Sequence, residues 1–225
     1  MRIAATSDCH GMLDQAVMPP ADVLVIAGDY APNFASIGEA DDARKQLEWA
    51  KGPFSRFLRS LPYKKVVLVA GNHDWLHFVS EVKRTARHAI EAVYLEDGLV
   101  DIDGVKFYGS PWQPWFYDWA FNLSRNDPER DYPHARKIWG QIPDGVDVLI
   151  THGPPLNIRD QCQDGRRVGC PILRDRVLQI KPKLHVFGHI HGGYGAEKVD
   201  GIQFANVALC NEEYKPVNPI QVFEI

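Results

Sequence analysis

Cysteine is scarce in this sequence, and its spacing argues against two common frameworks. The 225 residues contain four cysteines, and no two of them form a Cys-x-x-Cys pair. Structural zinc sites usually contain such pairs, and disulfide-stabilised secreted domains have denser cysteine patterns. We therefore expect reduced thiols in an intracellular protein. The four residues are Cys9, Cys162, Cys170 and Cys210.

The sequence also lacks a membrane-length apolar run, a signal peptide and an excess of basic residues. The N-terminal MRIAATSDCHG has no apolar core of signal-peptide length, and no uninterrupted apolar run is long enough to span a bilayer. These absences predict a cytoplasmic protein with no membrane partner. The formal net charge of −4 argues against long nucleic acid as a partner. A phosphate-bearing substrate would therefore depend on bound metal ions for positive charge.

The sequence does contain several short apolar runs that end in small residues. Runs this apolar are typical of central strands that are covered on both faces. Together with helical spacing between them, a hairpin signal at Asp103-Gly104 and a β-rich end, they predict a single α/β domain over residues 1–225. The helical stretches are 40–61, interrupted near Gly52-Pro53, and 76–92, 132–142 and 171–180. The apolar runs are Ile3–Ser7, Val23–Gly28, Val66–Gly71, Val146–Thr151 and Leu184–Gly188.

Asp, Asn or His follows each of these runs. Because ligands of open α/β sheets bind beyond the carboxyl ends of the strands, these side chains should meet at one edge. Carboxylate, amide and imidazole ligands together suit Mn²⁺ best, with Fe or Zn²⁺ as alternatives. Seven ligands are too many for one tetrahedral ion and fit two divalent ions if Asp29 is shared. The seven residues are Asp8, His10, Asp29, Asn72, His152, His189 and His191.

These residues lie in short motifs that resemble the signature blocks of the calcineurin-like metallophosphoesterases. The blocks are Asp8-x-His10, Gly28-Asp29, Gly71-Asn72-His73-Asp74, Thr151-His152-Gly153 and Gly188-His189-Ile190-His191. Residues 109–116 (GSPWQPWF), 151–156 (THGPPL) and 191–195 (HGGYG) further resemble the metallophosphoesterase-domain-containing subgroup, which is similar to class III cyclic nucleotide phosphodiesterases. The resemblance implies a four-layer αββα fold, in which two mixed sheets are flanked by helices.

The resemblance also implies a role for each site residue. One metal ion would be bound by Asp8, His10, Asp29 and His191, and the other by Asp29, Asn72, His152 and His189. A hydroxide bridging the two ions would attack phosphorus in line. His73 is the candidate catalytic residue, which would protonate the leaving oxygen or stabilise charge on it. Asp74 is a candidate to orient His73.

The function implied is hydrolysis of small phosphodiesters, cyclic nucleotides included, and the substrate would be a small phosphoester such as a nucleotide. One alternative is a phosphomonoesterase or nucleotidase of the same fold. A protein phosphatase is disfavoured because the sequence after Gly28-Asp29 lacks the expected Asp-Arg-Gly. A non-catalytic, metal-binding scaffold is also disfavoured, since every ligand position and His73 are retained. An oligomer is compatible with the sequence.

An aromatic segment, Trp112–Phe121, allows two interpretations of similar weight. Its rings could form a wall on which a nucleotide base stacks. Alternatively, the segment is a long loop that packs its own aromatic side chains over the core. Under the first interpretation, Trp112 and Asn122 are the candidate substrate-binding residues.

Overall fold

The computed structural model describes residues 1–34, 38–127 and 131–225. The strands are β1 (Arg2–Thr6), β2 (Val23–Ala27), β3 (Lys65–Val69), β4 (Val93–Leu95), β5 (Gly98–Ile102), β6 (Val105–Ser110), β7 (Val148–Thr151), β8 (Leu184–Phe187), β9 (Gly195–Val199), β10 (Ile202–Asn206) and β11 (Gln221–Glu224). The α-helices are α1 (Glu39–Trp49), α2 (Ser55–Ser60), α3 (Ser80–Ala89), α4 (Pro133–Trp139) and α5 (Pro171–Ile180). Short 3₁₀ turns occur at Leu13–Gln15, Trp75–His77 and His191–Gly193.

The strands form two mixed sheets. The first has the order β11-β1-β2-β3-β4, in which β1 to β4 are parallel and β11 is antiparallel. The second has the order β5-β6-β7-β8-β10-β9, with four central parallel strands and antiparallel strands at both edges. The expected hairpin at Asp103-Gly104 joins β5 to β6, and both turn residues have positive φ, as a type I′ turn requires.

The two sheets pack against each other, and helices cover their outer faces. Alternate residues of β1 and β2 explain the layers, because Ile3 and Val25 face the second sheet while Ala4 and Leu24 face the helices. On the far side, Leu149 packs with Trp139 of α4 and other buried residues. The predicted four-layer arrangement of two mixed sheets between helices is therefore confirmed.

The helices depart from the sequence prediction mainly at their boundaries. The long stretch 40–61 is divided by a π-helical turn at Ala50–Phe54 that contains Pro53, a residue without the N–H needed for a regular helical bond. The stretch 76–92 becomes helical only at Ser80, because Trp75–His77 first forms a buried 3₁₀ turn. None of the helices in the described ranges is long and apolar enough to cross a membrane.

Candidate metal centre

The carboxyl ends of five strands from the two sheets meet at one edge of the molecule. Backbone hydrogen bonds join the loops that follow them: the amide of Asp8 donates to Gly28 O at 2.9 Å, and that of Gly188 donates to His152 O at 3.0 Å. The backbone N–H of His189 also donates to the Asp8 carboxylate at 3.0 Å. These bonds bring residues from distant parts of the chain together, as the sequence pattern predicted.

Asp8, His10 and His191 form one group in which a ligand atom of each lies within 4.8 Å of the others. Nε2 of His191 lies 3.4 Å from Asp8 Oδ1. The other ring nitrogen, Nδ1, donates to the backbone carbonyl of Asn211 at 2.8 Å. A carbonyl can only accept, so this bond fixes the ring orientation and directs Nε2 towards the carboxylate.

Asp29, His152 and His189 form a second group with the same 4.8 Å limit. Nε2 of His152 lies 3.4 Å from Asp29 Oδ2 and 2.8 Å from Asn72 Oδ1. Nδ1 of His152 donates to the carbonyl of Ala27 at 3.0 Å, which again leaves Nε2 directed into the group. All seven residues singled out in the sequence therefore lie at this edge, three in each group and Asn72 beside the second.

The donor atoms of the two groups fit divalent metal ions. Among the described residues, His10 Nε2 is buried and has no hydrogen-bond partner, which is the state expected of a nitrogen reserved for a ligand. Burial lowers the pKa of His10 to about 4 and that of His189 to about 3, so both imidazoles are neutral and able to bind a cation near pH 7. The set of carboxylate, amide and imidazole donors matches Mn²⁺, Fe or Zn²⁺.

The other two histidines are held in their charged form by the carboxylates. Burial disfavours a charge on His152, but Asp29 outweighs it and raises its pKa to about 9. Burial acts the same way on His191, where the Asp8 carboxylate raises the pKa to about 9. The pKa of Asp8 falls to about 2, because its contacts with His191 outweigh burial. In the metal-free protein, Nε2 of each of these two imidazoles thus carries a proton. A cation that binds at Nε2 would have to displace this proton.

The backbone at the site is strained. Asp8, His10, Asp29 and His189 have φ values of 50°, 43°, 51° and 66°, a left-handed region that is uncommon for residues other than glycine, although Asp and His enter it more often than most. Strain of this kind persists only where surrounding bonds enforce it, and it concentrates at functional sites. Close packing adds to it: a Cβ at Gly188 would lie 2.1 Å from Asp8 Oδ2, and one at Gly71 would lie 2.2 Å from Asp29 Oδ1.

His73 lies beside the two groups, and Asn33 rather than Asp74 contacts its ring nitrogen. Asn33 Oδ1 accepts a hydrogen bond from His73 Nδ1 at 2.7 Å, so Nε2 is the atom free to face a substrate. The Trp119 ring packs on the imidazole at a centroid distance of 4.1 Å. Burial lowers the pKa of His73.

Asp74 braces the loops instead of orienting His73. Its carboxylate accepts the backbone N–H groups of Ala31 and Gly71 at 3.0 and 2.7 Å. Successive side chains of the tight Gly71-Asn72-His73-Asp74 turn point in different directions, which is why the neighbouring residue does not reach the imidazole. Burial, with a further contribution from Asp29, raises the pKa of Asp74 to about 8.

Tyr214 is a site residue that the sequence patterns did not identify. Its ring lies 4.8 Å from that of His10 and 5.3 Å from that of His191, measured between centroids. Its φ of 56° is strained for a bulky residue, and the loop is closed by Asn211 Oδ1, which accepts from the amides of Glu213 and Lys215. The last recognisable segment ends at residue 195, so only the three-dimensional structure brings Tyr214 to the site.

The aromatic segment divides into an inner and an outer part. Phe121 is buried, and Trp112 is half-buried and donates from Nε1 to Asp97 at 2.9 Å. Asn122 Nδ2 donates to the carbonyl of Tyr117 at 2.6 Å, which ties the loop together. The polar groups of Trp112 and Asn122 thus hold the loop in shape, and their substrate-binding role stays a prediction. Residues 115–117 are exposed.

Comparison with known proteins identifies the family of the chain and agrees with its fold. The model of a family described as "Calcineurin-like phosphoesterase" matches residues 1–193. The chain is 38% identical over 248 residues to "Metallophosphoesterase domain-containing protein 1" of Homo sapiens, covering 100% of this chain and 71% of that protein, and the protein of the same name from Mus musculus gives the same values.

A solved structure shares the fold. It is a phosphopantetheinyl hydrolase from Mycobacterium tuberculosis, with a TM-score of 0.58 at 16% identity, covering 94% of this chain and 90% of that one. Its similarity is one of fold, whereas the family match and the 38% identical relatives extend to the sequence. The chain therefore belongs to the calcineurin-like phosphoesterase family and is a hydrolase of phosphoester bonds.

Proposed function

We propose that this hydrolase is a dinuclear metal-dependent phosphodiesterase acting on small phosphodiesters such as cyclic nucleotides. The observation that carries the proposal is the pair of Asp-His-His groups, in each of which the ligand atoms lie within 4.8 Å of one another. One ion would be held by Asp8, His10, Asp29 and His191, and the other by Asp29, Asn72, His152 and His189. Mn²⁺ is the ion that this mixed donor set favours most.

The protein side chains would divide the remaining work. Two bound divalent ions would supply an acidified water and neutralise charge on the phosphoryl oxygens. His73 would act on the leaving oxygen through Nε2 in its doubly protonated form, which the negative charge of a bound phosphoester favours, while Asn33 accepts from Nδ1 and Trp119 packs on the ring. The backbone bonds of His152 and His191 would keep both imidazoles in ligating orientation throughout.

The resemblance to the cyclic-nucleotide-phosphodiesterase-like subgroup supports a diester rather than a monoester. The two substrate classes differ in charge, because a phosphomonoester carries about two negative charges near neutral pH whereas a diester carries one.

The proposal is tested by hydrolysis of bis-p-nitrophenyl phosphate and p-nitrophenyl phosphate after chelation and after Mn²⁺ is restored. We expect no diesterase activity in the chelated protein, recovery with Mn²⁺, and a higher kcat/KM for the diester than for the monoester. Activity that survives full metal removal would rule out the metal mechanism. A higher kcat/KM for the monoester would favour the phosphomonoesterase or nucleotidase alternative.

We further propose that residues 1–225 form one domain. The shared core between the two sheets supports this, because Ile3 and Val25 of one sheet pack in the same cluster as Phe107 and Val148 of the other. A single domain should unfold in one cooperative step, with equal calorimetric and van't Hoff enthalpies. Two separated transitions would contradict it.

A further inference from the structure

A cleft of about 480 Å³ opens beside the second ligand group. One wall is residues 114–117 of the aromatic loop, and the opposite wall includes Cys162, Arg166 and Val168. His189 lies in the lining of the cleft and also belongs to the group with Asp29 and His152. A cavity of this size accommodates a small organic group, and its connection through His189 places that group next to the phosphoester site.

The wall of this cleft exposes large aromatic side chains to solvent. Trp115, Phe116 and Tyr117 are 38%, 49% and 66% exposed. In the described ranges the exposed aromatic residues are these three, Tyr214 and Phe78, so four of the five lie around the candidate metal centre. Scattered exposed apolar residues are ordinary, but a cluster beside a polar site marks a surface that binds a ligand.

The loop that carries the exposed rings is braced before any ligand arrives. Asn122 Oδ1 accepts from the backbone N–H of Phe116 at 3.3 Å and from Gln113 Nε2 at 3.2 Å, so the loop is braced from below. The Arg125 guanidinium lies 4.7 Å from the centroid of the Trp115 ring. A preformed wall lowers the entropic cost of binding, because the side chains need not be ordered by the ligand.

The other side of the site is less open. The Tyr214 ring lies 4.8 Å from His10 and 5.3 Å from His191, and so covers the first ligand group. The Phe116 ring, in contrast, meets His189 edge-on at a centroid distance of 6.4 Å, beside the open cleft. A substituent on a phosphate bound between the groups can therefore extend over His189 into this cleft.

We propose that this cleft binds a planar aromatic group of the phosphoester, a nucleobase or an aryl ring, stacked on Trp115 and Phe116. This inference rests on the proposed function, since it assumes that the phosphate binds at the two ligand groups. Stacking on an aromatic ring selects by shape and tolerates different ring systems. The cleft thus selects among substrates, and the residues at the strand ends perform the hydrolysis.

Equilibrium binding of two phosphonates to the metal-loaded protein tests the proposal. Phenylphosphonate and methylphosphonate share the anionic group and differ in the ring, and neither can be hydrolysed. We expect calorimetry to show phenylphosphonate bound about tenfold more tightly than methylphosphonate, the size typical of one stacking contact. Equal affinities, or no binding of phenylphosphonate at millimolar concentration, would overturn the proposal.

Variants locate the effect. Trp115→Ala/Phe116→Ala should weaken phenylphosphonate binding about tenfold and change methylphosphonate binding less than twofold. Trp115→Phe/Phe116→Tyr keeps both rings and should retain the preference. Phe78→Ala is the matched control: this ring is 42% exposed and touches the same loop through Phe121, but it does not line the cleft. Equal weakening of both phosphonates in the double Ala variant would contradict stacking.

Hydrolysis of bis-p-nitrophenyl phosphate in the same samples separates this inference from the proposed function. Equal binding of phenylphosphonate and methylphosphonate by an enzyme that hydrolyses the diester would overturn the proposed aromatic binding and leave the proposed function standing. A phenyl preference in a protein that hydrolyses no diester would overturn the proposed function and leave the cleft as a binding site for aromatic phosphates or phosphonates.

Discussion

Loading the metal-free protein with two divalent ions should release protons. His152 and His191 each contact acceptor-only oxygens through both ring nitrogens, so each carries two ring protons in the metal-free state. A metal ion at Nε2 requires the unprotonated nitrogen, and the proton must leave when the ion binds. His10 and His189 contribute none, because burial lowers their pKa values to about 4 and 3.

The pKa values set the size of this release. With pKa values of about 9, His152 and His191 are both almost fully protonated at pH 7.5, so together they should release about two protons, in addition to the proton lost by the acidified water. At pH 10 both histidines are mostly unprotonated, and their contribution should fall well below one proton. Asp74, whose pKa is raised to about 8, adds up to about one proton at pH 7.5 if cations near Asp29 lower that pKa. The direction of the pH dependence follows from competition between protons and metal ions for the histidine nitrogens. Metal affinity should therefore rise with pH up to about 9.

Isothermal titration with Mn²⁺ in buffers of different ionisation enthalpy measures the number of protons released. Asp74→Asn should remove the contribution of Asp74 to the proton release and keep the two protons from His152 and His191 at pH 7.5. His185→Gln is the matched control, since burial lowers the pKa of His185 to about 3, so it is uncharged throughout, and its Nε2 bonds to Thr151 rather than to a ligand residue. Release below half a proton at pH 7.5, or release that does not change between pH 7.5 and 10, would refute the reasoning.

Three substitutions test individual residues. Asp29→Ala should abolish binding of both ions, as measured by elemental analysis, and two tightly retained ions would disprove a shared carboxylate. His73→Ala should keep two ions and lower kcat about 10²- to 10⁴-fold, and an unchanged rate would remove its role as proton donor. Gly188→Ala should lower metal content and cost about 1–3 kcal/mol of unfolding free energy, since its Cβ would lie 2.1 Å from Asp8 Oδ2. Gly98→Ala, whose nearest such contact is 3.8 Å, should do neither.

The sequence was sufficient to predict the strand ends and the side chains that gather there. Asp8, Asp29 and His152 each follow an apolar run, and such runs become parallel strands whose carboxyl ends share an edge. The expectation of two layers of sheet came from the family resemblance, since apolar periodicity alone indicates only an α/β class.

Other features depended on tertiary contacts that carry no local signal. Asn33 and Tyr214 reach the site from irregular loops, and the bond from His191 uses the backbone carbonyl of Asn211, which any residue could supply. The aromatic segment was ambiguous because two residues of the same type within it differ in burial: Phe121 is buried, whereas Phe116 is 49% exposed.

The most direct test of the dinuclear site is a stoichiometric Mn²⁺ titration of the metal-free protein, with bound ions and bis-p-nitrophenyl phosphate hydrolysis measured in the same samples. We predict that binding saturates at two ions per chain and that activity rises mainly with the second. Full activity with one bound ion, or undiminished activity with none, would contradict a site in which Asp29 serves two ions at once.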